Sequence, residues 1–472
     1  GGGLLGGSKD YDDSEGRVYA EQGVVYVRAN YRMGALGFLQ PRGGDANCGL
    51  WDMVEVLRWV RREIHKFGGD PRRVTLMGQS AGADMVYFLT CSALANKLFH
   101  RAIMQSPASF ATTLAQAAEL AEEFAEVAGA RSSGLADMQS LSADQVLRAQ
   151  VGGRFRLHPS TGPGWRVMCA FHGRLPELPP PDPSPAGLLR FPEGAAPQGY
   201  FFPTAVVDGE LLLEQPLDAL ARGVAARLEV IVGGNRDEDA DVPPRLRGAQ
   251  PLMQSYGTRL PPGEGRAQVV QRAACEIAGM PKVRGSPPEE LMAVIERVVQ
   301  DYEQEARADV FGLGPTGNAP SAEQWLLDVV TSDMSFLAAV HLISERLRLP
   351  GRCRRVFRYQ FNGYGGRGDA FHAAELPLLM GEDRQPILQL PGALATRRAW
   401  IAAWAAFARC GDPNVRTSGA RWGPYGDASR PVLFWDGCEG CRPDPGCMAR
   451  RRGLLAMAAL WEELWGLERV PP

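Results

Sequence analysis

The pentapeptide Gly78-Gln79-Ser80-Ala81-Gly82 restricts what this chain can become more than any other stretch, because it asks for a serine at the apex of a sharp turn. Arg73-Val-Thr-Leu-Met77 before it is apolar and β-prone, and Ala83-Asp-Met-Val-Tyr-Phe-Leu-Thr90 after it reads as the first turns of a buried helix. Strand, G-x-S-x-G and helix in succession form a nucleophile elbow. The two glycines let the backbone turn tightly, and the serine hydroxyl stands exposed above a sheet.

The 472 residues would fill two or three average domains, or one α/β unit enlarged by inserted loops. With 51 basic and 54 acidic side chains the net charge is −3, and no basic block stands out, which argues against a nucleic-acid partner. No run of consecutive apolar residues approaches the roughly 18 needed to span a bilayer, so no transmembrane segment is expected. Nine cysteines leave at least one unpaired within the chain if the others form disulfides. Cys438, Cys441 and Cys447 lie among Gly, Pro and Asp with no histidine near, so a disulfide or inert thiols is expected there rather than zinc. No Asn-x-Ser/Thr acceptor occurs. The chain opens Gly1-Gly-Gly without methionine, from which the native start, and any signal peptide with it, is expected to be missing.

Along the chain, strand and helix patterns alternate. Gly23–Asn30 reads as a strand. From Asp52 to Phe67 the positions Met53, Val56, Leu57, Val60, Ile64 and Phe67 recur at threes and fours, an amphipathic helix with Trp59 beside the stripe and Gly68-Gly-Asp-Pro71 as its stop. Arg101–Met104 is a further strand, Leu114–Val127 a helix ending near Gly129, and Ser142-Ala-Asp-Gln145 a capping box. Leu228–Val232 and Arg355–Phe361 are later strands. Between them residues 242–349 read as mostly helical, including Pro288–Tyr302 and Ala322–Leu347. Trp404–Arg409 and Met448–Leu467 add helices. The proline-rich stretch 175–185 reads as a surface insertion. This alternation predicts an α/β fold with a mostly parallel central sheet flanked by helices, and nothing divides the chain into separate domains.

A serine hydroxyl is a poor nucleophile near neutral pH; it needs a base, and the base needs an acid to orient it. In an elbow fold the order is serine, acid, histidine, each beyond the C-terminal end of a different strand. Of the six histidines, His65 and His100 flank the elbow, His158 and His172 precede the next strand, and His341 lies inside a helix. His372 follows strand Arg355–Phe361 through a glycine-rich loop and fits both order and position. For the acid, Leu228–Val232 runs into Gly233-Gly-Asn-Arg-Asp-Glu-Asp239, where Glu238 is preferred and Asp237 is its rival. Ala81 N–H offers one oxyanion donor, and the opening glycines can supply others, since glycine lets the main chain come close to a substrate.

These pieces together resemble the type-B carboxylesterase/lipase family, the cholinesterase-like branch of the α/β-hydrolases. The matching blocks are Gly1–Leu4 with Gly7-Ser8, Asn30–Leu39, Asn47–Asp52, Phe67–Pro71 through Gly78–Gly82, Leu98–Ser106, Pro203–Gly209, Asn235–Glu238, His372–Leu376 and Trp404–Asn414. The resemblance spans almost the whole chain. It implies one α/β-hydrolase unit over residues 1–472, lacking the family's opening strands, with helical insertions between the later strands and a substrate-pocket or lid region at 242–349. Carried over by position, it implies Ser80 as nucleophile, Glu238 as acid, His372 as base, and Gly2, Gly3 and Ala81 as oxyanion donors. The activity implied is hydrolysis of small-molecule carboxylic esters through an acyl-enzyme, with no metal or organic cofactor and no stated oligomeric state. A secreted or extracellular setting goes with the resemblance, although the sequence leaves the compartment open. Two other readings accompany it: a lipase acting on neutral lipids, and a non-catalytic cholinesterase-like interaction domain, which typically lacks a triad residue, whereas all three stand here. Departures from the family are Leu4 for an aromatic, Ala83 and Asp84 after the elbow, and Asp239 for a glycine after the acid. Asp84, if buried, needs a partner, at a cost of several kcal/mol otherwise. Asp239 is expected either to raise the pKa of Glu238 or to face water.

Overall fold

The computed structural model describes residues 1–10, 15–108, 110–152, 155–156, 198–199, 204–240, 265–267, 269–270, 288–307, 322–364, 369–380, 386–414, 421–426, 430–436, 440–444, 448, 451–465 and 467. Among these, six strands form the main sheet: β1 (Thr75–Gln79), β2 (Arg101–Gln105), β3 (Glu229–Asn235), β4 (Arg355–Phe361), β5 (Val432–Asp436) and β6 (Gly440–Asp444), adjacent in that order. β1 through β5 are parallel and β6 returns antiparallel. Ile231 of β3 stands opposite Ile103 of β2 and Phe357 of β4, so the register carries one apolar row across the sheet centre. All seven residues of β3 are buried, as a central parallel strand covered on both faces requires.

The faces separate by the two-residue period of a strand. Ala102, Met104, Val230, Val232, Val356 and Val432 enter one apolar cluster, with Leu50, Val54, Phe88 and Trp461. Ile103, Ile231, Phe357, Tyr359 and Leu433 enter the other, with Trp400, Trp404 and Trp435. The second is an aromatic block, in which Trp400 stacks flat on Trp435 at 4.8 Å and meets Trp404 edge-on at 5.5 Å.

Helix α1 (Cys48–Glu63) begins earlier than its pattern suggests and buries Leu50, Val54, Leu57 and Val60, while Ile64 is buried in a following 3-10 turn. Met53 and Val56 are half-buried, and Phe67 is exposed and leans on Trp59 at 5.8 Å. The stripe is therefore rotated from the expected one toward Leu50 and Val54. Gly68, at φ +82°, ends the run. α2 (Ala81–Cys91) follows β1 directly. α3 (Leu114–Ala128) starts with a Thr113–Gln116 capping box and stops at Gly129, φ +73°. Ser142 and Gln145 make the expected reciprocal bonds ahead of a helix at Ala143–Gly152.

Between β3 and β4 lie α4 (Pro288–Arg307), α5 (Ala322–Ser332), a π-helical turn at Asp333–Leu337, and α6 (Ala338–Arg348). Parts of 242–349, the proline-rich 175–185, Cys438 and Cys447 lie outside the described residues. The run Glu323–Arg348 is long and apolar enough by composition to cross a bilayer, yet 94 % of its most apolar window is buried inside the protein. The interrupted apolar positions of a core helix carry that hydropathy without a continuous apolar run. α7 (Ala393–Cys410) and α8 (Arg452–Trp465) complete the helical layers. Cys48, Cys91, Cys353 and Cys410 are free thiols.

The expectation for Gly23–Asn30 is corrected. The segment joins no ladder among the described residues, although Val24 and Tyr26 turn inward while Val25 and Val27 are exposed. Strand propensity sets that alternation, but a strand exists only when a neighbour supplies its hydrogen bonds.

Because Trp400 sits fully buried between Trp435, Trp404 and Tyr359, Trp400→Ala should cost about 3–5 kcal/mol. Urea unfolding followed by circular dichroism checks this. A shift below about 1 kcal/mol would mean that the block tolerates the cavity.

Candidate active site

Ser80 occupies the apex between β1 and α2 at φ +57°, ψ −132°, a conformation costly for any side-chain-bearing residue. The sequence makes this possible through its glycines. A Cβ on Gly78 would lie 2.2 Å from the Gly82 carbonyl oxygen, and one on Gly82 would lie 3.1 Å from Gly1 N. The bend is tied down where Ser80 N–H donates to the Gln105 carbonyl at 2.8 Å, at the end of β2. Asp84, in the first turn of α2, is buried, and it has the partner that burial requires: its carboxylate accepts the Ala108 N–H at 2.8 Å.

The other two residues converge from the ends of β3 and β4. Ser80 Oγ lies 2.8 Å from His372 Nε2, and His372 Nδ1 lies 2.7 Å from Glu238 Oε2. With Nδ1–H donating to the carboxylate, Nε2 is the acceptor for the serine hydroxyl. Gln79 Nε2 lies 3.3 Å from the same ring nitrogen. Glu238 is fully buried; its Oε1 accepts the Asn235 N–H at 2.7 Å and the Ser106 hydroxyl, and its carbonyl accepts the His372 N–H at 3.0 Å. Asp237, the rival acid, is turned away into an ion pair with Arg236 at 2.7 Å. Asp239 does not face water. It is buried, and its carboxylate accepts the Ser335 hydroxyl at 2.6 Å.

Burial disfavours a charged imidazole at His372. The hydrogen bond that the ring donates to Glu238 and the negative charges of Glu238, Glu375 and Asp239 outweigh it, so the ring is held above its ordinary 6.5. Glu375 is fully buried as well, and burial followed by the neighbouring Glu238 charge pushes its carboxyl up to about 7. It accepts from Asn235 Nδ2 at 2.7 Å and Gln105 Nε2 at 3.1 Å, linking the ends of β3 and β2.

The opening glycines pack beside the serine. A Cβ on Gly1 would stand 3.4 Å from the Gln79 carbonyl oxygen and 3.9 Å from Ser80 Cβ. Gly2 and Gly3 have φ of +82° and +60°, and a Cβ on Gly2 would meet the Gly6 carbonyl oxygen at 1.9 Å. Leu4 follows at φ +61° and is buried in the core. Ala81 is the first residue of α2, where an N–H has no intrahelical partner.

Several contributors carry no role in the sequence reading. Ser106, Asn235 and Glu375 stand inside blocks singled out above, but nothing in their spacing marks them as neighbours of the acid. Phe336, whose ring lies 4.5 Å from the His372 ring at 25°, sits in an apolar helical stretch with no signal of its own.

The carboxylesterase family profile matches residues 1–437. The chain belongs to the carboxylesterase family. It is 33 % identical over 254 residues to the fumonisin B1 esterase of Sphingopyxis macrogoltabida, an alignment covering 52 % of this chain and 39 % of that protein. It is 26 % identical to the para-nitrobenzyl esterase of Bacillus subtilis, over 94 % of this chain and 75 % of the relative. To the liver carboxylesterase of Sus scrofa it is 28 % identical, over 88 % and 65 %. The chain thus spans from about two fifths to three quarters of the length of these relatives. Among solved structures, a PNB esterase superposes with a TM-score of 0.66 at 22 % identity, covering 96 % of this chain and 80 % of that one. A Geobacillus stearothermophilus carboxylesterase gives 0.62 at 24 %, with the same coverage. These likenesses show the α/β-hydrolase fold of this carboxylesterase family member.

At the elbow, Gly78→Ala should displace Gly82 and with it the serine. We expect soluble protein with a lowered thermal midpoint and with Ser80 no longer labelled by a fluorophosphonate. Labelling at the wild-type rate would show that the turn does not need the bare Cα.

Proposed function

We propose that this chain is a serine hydrolase that cleaves small carboxylic esters through an acyl-enzyme. Ser80 Oγ attacks the ester carbonyl while His372 takes its proton at Nε2. Glu238 holds the ring by Nδ1–H and stabilises the imidazolium. The N–H groups of Gly2, Gly3 and Ala81 receive the oxyanion. The imidazolium then returns the proton to the leaving alcohol, and water, activated by His372, releases the acid. The observation that carries this reading is the pair of contacts on His372, 2.8 Å to the serine and 2.7 Å to the buried carboxylate, made at a serine in a strained turn. The name of one relative, para-nitrobenzyl esterase, supports nitrobenzyl esters among the first substrates to try.

Hydrolysis of p-nitrophenyl acetate by the wild type should fall by about four orders of magnitude or more in Ser80→Ala and in His372→Ala, since members of such a unit fail together. Glu238→Gln should also lose most turnover, whereas Asp237→Asn should change it little. Equal rates for wild type and Ser80→Ala overturn the mechanism, and a severe loss confined to Asp237→Asn overturns the choice of acid.

The pH dependence has a fixed sign. The base works as neutral imidazole, and His372 is held above its ordinary 6.5. It stays protonated, and therefore idle, to a higher pH than a free histidine. The acid limb of kcat/KM should accordingly have its midpoint above 6.5. A limb centred below that value would mean that burial dominates over the surrounding carboxylates.

A further inference from the structure

We propose that Asp239, the residue after Glu238, is a positioning residue that clasps the π-helical turn Asp333–Leu337 and so lays the Phe336 ring flat against His372. The inference rests on the serine-hydrolase reading above and assigns a device for holding its base.

The clasp has two points. Asp239 N–H donates to Ser332 Oγ at 3.0 Å, just ahead of the turn, and Asp239 Oδ2 accepts the Ser335 hydroxyl at 2.6 Å. Ser335 is the neighbour of Phe336, so the second bond fixes how far that ring advances. A π-helical turn inserts a residue into a helix and re-aims the side chains around it. Here it interrupts the run from α5 to α6 at the level of the histidine. The far side of the turn is anchored too. Asp333, fully buried, accepts from the Tyr302 hydroxyl of α4 at 2.8 Å and from Arg451 at 2.7 Å, just before α8.

The near side is cleared by a glycine. A Cβ on Gly234 of β3 would lie 3.0 Å from both Leu337 Cδ2 and Glu238 Oε1, so the bare Cα lets the turn settle beside the acid. Phe336 then stacks on the imidazole at 4.5 Å and 25°. His372 is left with both ring nitrogens hydrogen-bonded and one face covered, so it has little freedom to swing away. A glycine at 239, which the family resemblance leads one to expect, has no side-chain acceptor for Ser335.

Asp239 also acts by charge. The acidic groups that bear on His372 are Glu238 and Asp239 from the loop after β3 and Glu375 from its own loop. Replacing Asp239 by asparagine keeps an oxygen for Ser335 and removes one of these charges. The clasp and the field are therefore separable.

The test uses the full chain, after Ser80-dependent hydrolysis of p-nitrophenyl acetate has been established. Asp239→Gly and Phe336→Ala should each lower kcat about tenfold with KM changed less than about twofold, and the double variant should lose no more than the worse single one. Asp239→Asn should restore kcat relative to Asp239→Gly and move the acid limb of kcat/KM to lower pH, because a charge favouring the imidazolium is gone. Ser335→Ala cuts the same bond from the other side and stands in if Asp239→Gly fails to fold. Wild-type kcat in folded Asp239→Gly or Ser335→Ala, or losses that multiply in the double variant, would overturn the clasp while leaving the Ser80 mechanism standing. Activity that survives Ser80→Ala would instead remove the reading beneath it.

Discussion

Gly78 and Gly82 approach so closely that a methyl group on Gly78 would overlap the Gly82 carbonyl. The rest of the site is arranged around the turn this permits. Holding Ser80 at φ +57° costs about 1–3 kcal/mol for a side-chain-bearing residue. The offset lies on both sides of the bend. Upstream, β1 is locked in parallel register to β2. Downstream, Met85, Val86, Phe88 and Leu89 of α2 are all buried, and burying such side chains is worth about 1.5–3 kcal/mol each. The strain is therefore concentrated in one residue whose neighbours are overdetermined, and the serine, buried rather than exposed as its motif suggests, directs its hydroxyl at His372.

How much of this was legible in the chain depends on whether the determinant is local. β4 runs from Arg355 to Phe361 as its sequence indicates, and the capping box at Ser142 concerns groups three residues apart. The elbow is local as well, since its glycines and serine lie within five residues. Ser80, Glu238 and His372 were approachable because strand order in a parallel sheet converts sequence order into position at one edge. Failures occur where a partner distant in sequence decides. Gly23–Asn30 has the alternation of a strand but no ladder among the described residues. The phase of α1 is set by what Leu50 and Val54 meet, and that is absent from the periodicity. Of the two readings of Asp239, facing water fails: it is buried, and its partners Ser332 and Ser335 are more than ninety residues away. Phe336 and Glu375 belong to the same class: nothing about a phenylalanine in an apolar helix, or a glutamate three residues after a histidine, states what it will touch.

Three carboxyl groups bear on one imidazole in a buried site, an arrangement that looks self-defeating, because like charges in low dielectric repel and desolvation penalises each of them. The hydrogen bonds show why it persists. Glu238 receives an N–H, a hydroxyl and the imidazole, Asp239 a hydroxyl, and Glu375 two side-chain amides, so each carboxyl is solvated by fixed protein dipoles in place of water. Burial first, and then the neighbouring Glu238 charge, pushes the Glu375 carboxyl up to about 7. Under the proposed mechanism that balance serves the transition state. The charge that develops when Ser80 gives up its proton is positive and sits on His372, where the Glu238 carboxylate is already hydrogen-bonded to the ring and the charges of Glu375 and Asp239 also favour it. No reorganisation of solvent is then required at the moment of transfer. In the resting state the Glu238 charge opposes ionisation of Glu375, and a positive His372 favours it. On the proposed mechanism these carboxyl groups would favour the charged imidazolium over the neutral base, and only such differential stabilisation lowers a barrier.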